Sequence, residues 1–197
     1  MIFRLPLAYK LSASQIREES VKDTALPENR GITCKVGCDF CCKRQIFISI
    51  AEAMEIVEYL KSNKKWEDVS KKLSNLDMDL AMAGPEIYAA MNIDCVLLEA
   101  HKCIAHRVRP IACAVHYVIS DPKNCDVQSG HSGRYELTMT TMRFHEFKNS
   151  LDKAFQTESI LTYKLWLPLA IKAAGTISDN KVYSFEDFMT THRMELK

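Results

Sequence analysis

Eight cysteines in two groups constrain this chain more than any other feature of its 197 residues. The first group is tight: Cys34, Cys38, Cys41 and Cys42, in the string ITCKVGCDFCCKRQ. The second is loose: Cys95, Cys103, Cys113 and Cys125. A chain of this length buries enough apolar surface to fold without covalent staples. Its N-terminus, MIFRLPLAYK, does not read as a secretory signal, because Arg4 and Pro6 interrupt the apolar run and no convincing cleavage site follows. The expected compartment is the cytoplasm, where thiols stay reduced. Clustered, reduced thiols point to metal or redox chemistry rather than to a disulfide framework.

Charge and hydropathy narrow the class further. Lys and Arg number 26 against 25 Asp and Glu, a formal net charge of +1. That near balance gives no electrostatic case for nucleic acid or an anionic membrane as a partner. No apolar run approaches the roughly 20 residues needed to span a bilayer. The phosphate-binding G-x-x-x-x-G-K, the dinucleotide G-x-G-x-x-G and the zinc-protease H-E-x-x-H are all absent. No catalytic residue is singled out; Asp94 and Glu99, beside the second cysteine group, read as polar loop residues.

The periodicity predicts a mainly α, single-domain fold with a cysteine-rich, metal-clamped loop region and at most a short strand or hairpin. Residues 1–30 form an N-terminal segment, with a short helix over Ser14 to Lys22 ended by Pro27 and Gly31. Residues 31–128 form the cysteine-cluster region, and residues 134–197 a C-terminal helical region packing on it. Ile46, Phe47, Ile48 and Ile50 make a brief β-prone run. Ser49 and Glu52 have capping-box spacing, opening a helix with Ile50, Met54, Val57 and Leu60 on one face. Trp66, Val69, Leu73, Leu76 and Leu80 predict a second helix running up to Gly84-Pro85, with Lys64, Lys65, Lys71 and Lys72 on its solvated face. Pro85 to Asn92 predicts a short helix before the loose cysteine group. Ser129 to Gly133 reads as a flexible connector. Tyr135, Met139, Met142, Phe144, Phe147, Leu151 and Phe155 suit one long helix. Leu161 to Ala174 suits another, kinked or restarted at Pro168 and ended by Gly175.

Close spacing lets one loop wrap the first four thiolates around a centre, with Gly37 allowing a sharp turn into Cys38. Adjacent Cys41 and Cys42 point different ways, toward different centres or different faces of one. The loose second group implies a loop closing back onto a site nucleated elsewhere, so that metal binding becomes folding energy. All-thiolate ligation suits zinc or iron–sulfur clusters. Structural zinc sites favour paired C-x2-C knuckles, and the second group has none. The expectation is therefore an iron–sulfur cluster, of the 4Fe–4S type, with zinc as the alternative. The eight cysteines supply two four-ligand centres or one centre with spare thiols. Lys102, Arg107 and Arg109 around Cys103, and Lys43 and Arg44 after Cys42, could stabilise thiolates, while each taken singly reads first as an ordinary surface residue. His106 and His116, each three residues after a cysteine, are further ligand candidates.

At these residues the chain resembles the YkgJ-type cysteine-cluster family, the zinc- or iron-chelating CxxCxxCC domain. The resemblance spans residues 31 to 126. It is carried by Cys34, Cys38, Cys41 and Cys42, by the Ser49, Glu52, Ala53 helix start, and by Cys95-Val96-Leu97-Leu98, Cys103-Ile104, Arg109-Pro110-Ile111-Ala112-Cys113, Asp121-Pro122 and Cys125. Three departures stand out: three residues rather than two between Cys34 and Cys38, His106 in a usually aromatic region, and Ala114 where an arginine is common. The resemblance implies chelation of iron or zinc, with the activity open. A related cysteine arrangement occurs in flagellin lysine N-methylase, but no glycine-rich methyl-donor loop is evident in this chain. The functional expectation is a metal-binding protein with a redox or cluster-assisted role, its partner a protein or small molecule. The alternatives are a zinc-stabilised interaction module and a metal-dependent enzyme acting on a peptide or macromolecule.

Overall fold

The computed structural model of the chain describes residues 7–35, 37–127, 136–154 and 164–176, which include all eight cysteines. The expected Ser129 to Gly133 connector, Tyr135, Phe155 and Leu161 lie outside the described residues. Among those described, helix dominates and strand is confined to two short antiparallel pairs.

Helix α2 (Ile50–Ser62) is the centre of the fold. Ser49 caps it: its hydroxyl accepts the Glu52 N–H at 3.3 Å, and the Glu52 carboxylate accepts the Ser49 N–H at 3.1 Å. The sequence pattern predicted one apolar face. Instead Ile50 through Val57 are buried without interruption, Glu52 and Glu55 included. A helix buried on all sides needs partners on all sides. Its main partner is α7 (Leu167–Thr176), which is buried over Leu167 to Ile171 and again at Ala173 and Ala174. The small side chains of Ala51, Ala53, Ala170, Ala173 and Ala174 are all buried in this core.

Strand β1 (Phe47–Ser49) leads into α2, and β4 (Lys164–Trp166) leads into α7. They pair antiparallel, with Phe47 opposite Trp166 and Ser49 opposite Lys164. Leu165 and Trp166 thus belong to a strand, not to the apolar helix the sequence suggested. A short apolar run does not distinguish the two states, and the partner strand lies more than a hundred residues upstream. Pro168 restarts the chain as a helix, as one of the two expectations had it. Gly175 does not end α7, which runs to Thr176. A side chain there would meet the Trp66 ring at 2.3 Å, so the glycine makes room for α3 (Trp66–Ser74).

Helix α3 stops at Ser74 rather than running on to Leu80. Asp77 starts a separate 3-10 turn, Met78–Met82, by accepting the Asp79 N–H at 3.0 Å. Local side-chain bonding of this kind competes with helix continuation. Helix α1 is longer than expected, Leu7–Asp23, and α4 spans Pro85–Met91. The remaining elements are the hairpin β2 (Leu98–Glu99) and β3 (Lys102–Cys103), the single turn α5 (Ile111–Ala114), and α6 (Met139–Ala154).

Charges inside the core are paired. Arg17 of α1 is 5% exposed and holds both Glu55 carboxylate oxygens at 2.9 Å. Its Nε donates to the Arg109 carbonyl at 2.9 Å. Removing one partner of such a pair strands the other charge in the core. Glu55→Ala should therefore cost about 3–5 kcal/mol in urea unfolding. A loss below about 1 kcal/mol, the worth of an exposed pair, would show that the bond does not hold the helices together.

Candidate metal centre

The tight group is shaped by its backbone. Gly37 has φ +85°, a left-handed conformation that glycine accommodates and that turns the chain into Cys38. The Cys38 N–H donates to the Lys35 carbonyl at 3.0 Å, and the Cys42 N–H to the Asp39 carbonyl at 2.8 Å. A 3-10 turn, Phe40–Lys43, then presents Cys41 and Cys42.

The loose group is folded back onto this turn segment by segment. The Cys95 N–H donates to the Cys42 carbonyl at 2.9 Å. Cys103 lies on β3 opposite Leu98, in a hairpin whose turn residues Ala100 and His101 both have positive φ. His101 Nδ1 lies 2.7 Å from the Asp39 carboxylate, so this turn is anchored to the first cysteine loop. Cys113 rides on α5, whose Ile111 N–H donates to Glu52 Oε1 at 2.8 Å. Cys125 ends a 3-10 turn capped by Asp121, and its carbonyl accepts from Arg44 at 3.1 Å. Cys34 Sγ accepts the Val118 N–H at 3.5 Å.

All eight cysteines are free thiols. Cys41 is central: its charge acts on each of the other seven. Around it the remaining influences fall into two sets. Cys34 and Cys38 act on Cys125, and Cys38 on Cys34. Cys95 and Cys113 act on Cys42, while Cys95 and Cys103 act on Cys113. Among the described residues, no three Cys, His, Asp or Glu side chains stand close enough to grip one ion. The arrangement is a neighbourhood of thiols, and soft sulfur donors in that number suit iron or zinc.

Cations near the cysteines would lower the thiol pKa values if they acted on the thiolates. For six of the eight, burial outweighs them. Desolvation pushes Cys95 up to about 12 and Cys125 up to about 11, and raises Cys34, Cys38, Cys103 and Cys113 as well. Arg44 pulls Cys125 down and Arg109 pulls Cys103 down, but neither prevails. Cys41 and Cys42 are the exceptions. The Cys42 thiol donates to Cys41, which lowers Cys41 to about 7 and raises Cys42. Neighbouring positions in sequence thus have opposite characters.

Several side chains differ from expectation. Lys65 and Lys72, expected in solvent, both reach Glu99, at 3.3 and 3.6 Å. Lys72 also donates to the Leu98 carbonyl at 3.4 Å, which ties α3 to the β2–β3 hairpin. Lys43 faces Asp94 at 3.8 Å. His106 is exposed, with Nδ1 3.1 Å from Arg109, while His116 lines a cavity beside Cys41 and Cys113. The residues that place the cysteines were largely hidden in the sequence. Glu52 carried a signal through its capping box. Arg17, Thr141 and the Asp39–His101 contact carried none. Thr141 accepts the Tyr117 N–H at 3.0 Å and donates to the Val115 carbonyl at 2.7 Å, fixing the segment after α5.

Glu52 is fully buried and also lies 3.5 Å from Lys148 of α6. Burial alone pulls the Lys148 pKa down, but Glu52 and Asp152 hold it above the ordinary lysine value. Glu52→Ala should remove an acceptor that α5, the α2 cap and Lys148 all use. The expected cost is about 3–5 kcal/mol in thermal or urea unfolding, with less metal retained per chain. Wild-type stability and metal content in this variant would refute the role assigned to the carboxylate.

A family model, "CxxCxxCC: Putative zinc- or iron-chelating domain", matches residues 33–149. The match extends past Cys125 into α6, which carries Thr141 and Lys148. No curated protein and no solved structure matches the chain.

Proposed function

The chain belongs to the CxxCxxCC family of zinc- or iron-chelating domains, and from that premise we propose that its eight cysteines hold two iron–sulfur clusters of the 4Fe–4S type in a redox or cluster-assisted role. The observation that carries this reading is the gathering of eight free thiols around Cys41 in two sets. We assign Cys34, Cys38, Cys41 and Cys125 to one centre. Cys42, Cys95, Cys103 and Cys113 are assigned to the other. Hydrogen bonds support the same division: the Cys42 carbonyl accepts the Cys95 N–H, and Arg44, whose backbone N–H donates to the Cys41 carbonyl, donates from its side chain to the Cys125 carbonyl. The absence of a C-x2-C knuckle in the second group favours iron–sulfur over structural zinc.

Bound clusters supply one-electron chemistry, with a potential set by burial and by hydrogen bonds to sulfur. The protein contributes both. Burial surrounds Cys95 and Cys113, the Val118 N–H reaches Cys34, and Arg44 offsets negative charge at Cys41 and Cys125. The high thiol pKa values of the metal-free state make metal binding release protons and favour capture at higher pH.

Anaerobically purified protein should show broad visible absorbance, iron and acid-labile sulfide. Cys125→Ser and Cys103→Ser should each lose about half of the iron, and the double variant nearly all of it. A colourless protein with stoichiometric zinc sinks the iron–sulfur reading. Complete iron loss in either single variant sinks the two-centre assignment.

A further inference from the structure

A cavity of about 780 Å³ opens beside the thiols, with Cys41 and Cys113 in its wall. This volume is within the range of small-molecule sites, roughly 300–1,000 Å³. Arg44, His116 and His145 line it together. They come from three separate segments: the chain after Cys42, the loop after α5, and α6. Burial lowers the pKa of His116, with Arg44 and His145 adding to it, and burial with Lys148 lowers that of His145, so Arg44 is the standing charge and the imidazoles serve as hydrogen-bond donors. The fold thus places Arg44, His116 and His145 on the lining of one cavity, a group of nitrogen donors able to hold an anion.

Lys43, itself 3.8 Å from Asp94, is a further cation on the lining, and Glu86 is the one carboxylate among the described lining residues. Another part of the wall is apolar: Ile46, Tyr88, Val127 and Leu137. Tyr88 is fixed there by an edge-on contact with Trp166, ring centres 5.8 Å apart. Cys113, an exposed residue, lines this cavity.

We infer that this cavity binds a small organic oxyanion with an apolar body, seated between the Arg44–His116–His145 group and the apolar wall, against the cysteine site. The inference rests on the proposed metal site only for what the anion faces. A carboxylate or a phosphate group supplies the same chemistry, and the test separates them.

Calorimetric titration of the full-length, metal-loaded protein would use benzoate, phenyl phosphate, inorganic phosphate and benzyl alcohol as probes. At least one aromatic anion should bind at least tenfold more tightly than benzyl alcohol and inorganic phosphate; which one identifies the acid group. His145 is exposed on α6, so its replacement spares the core. His145→Glu should weaken anion binding at least tenfold with metal content and melting temperature unchanged, and His145→Lys should retain it. No aromatic-anion binding at millimolar concentration, equal binding of benzyl alcohol or inorganic phosphate, or equal behaviour of the Glu and Lys variants would overturn the inference. Iron and sulfide measured on the same sample test the cluster reading separately, whatever the titration shows.

Discussion

One buried carboxylate holds the architecture and the cysteine site in register. Glu52 is fully inaccessible to solvent, yet it closes the cap of α2, accepts the Ile111 N–H and faces Lys148. A buried charge persists only where hydrogen bonds and a counter-charge replace water. Those three partners come from the strand–helix junction, the turn that carries Cys113, and α6. Displacing any one of them leaves the buried carboxylate short of a partner, so the three segments are fixed together. Arg17 plays a parallel part from α1, joining Glu55 of the same central helix to the Arg109 carbonyl.

The thiol neighbourhood hangs on this frame. The tight group is shaped locally, by Gly37 and a 3-10 turn, and needs little from the rest of the chain. The loose group has no such local device. It is brought in by the Cys95 bond to the Cys42 carbonyl, by the hairpin anchored at His101 and Asp39, by Glu52 below α5, and by Arg44 at Cys125. Burial then sets the electrostatics. Desolvation disfavours most of the thiolates more than the arginines favour them, so metal binding must offset a cost built into the fold. Cys41 alone is lowered, because the adjacent Cys42 thiol serves it as a donor.

Much of this was legible in sequence where the signal is local. The Ser49–Glu52 capping box, the β-prone Phe47–Ser49 run, the short Pro85–Met91 helix and the Gly37 turn each depend on a few neighbouring residues. Non-local structure was misread. Leu165 and Trp166 are apolar in a way that serves helix or strand equally, and pairing with Phe47 and Ile48 decides for strand. Gly175 resembles a helix stop but answers to the Trp66 ring. Lys72 resembles a solvated lysine but reaches the hairpin carbonyls.

By itself the sequence determined the donor chemistry: eight thiols, their order, and a mainly helical chain to carry them. Sulfur is a soft ligand whatever its surroundings, so residue identity alone indicated metal binding. Tertiary structure decided which cysteine segments are held against one another, that Cys41 alone has its pKa lowered, and that Cys41 and Cys113 line a cavity shared with Arg44, His116 and His145. Those outcomes depend on distance and desolvation among segments some ninety residues apart, which no local pattern of residues encodes.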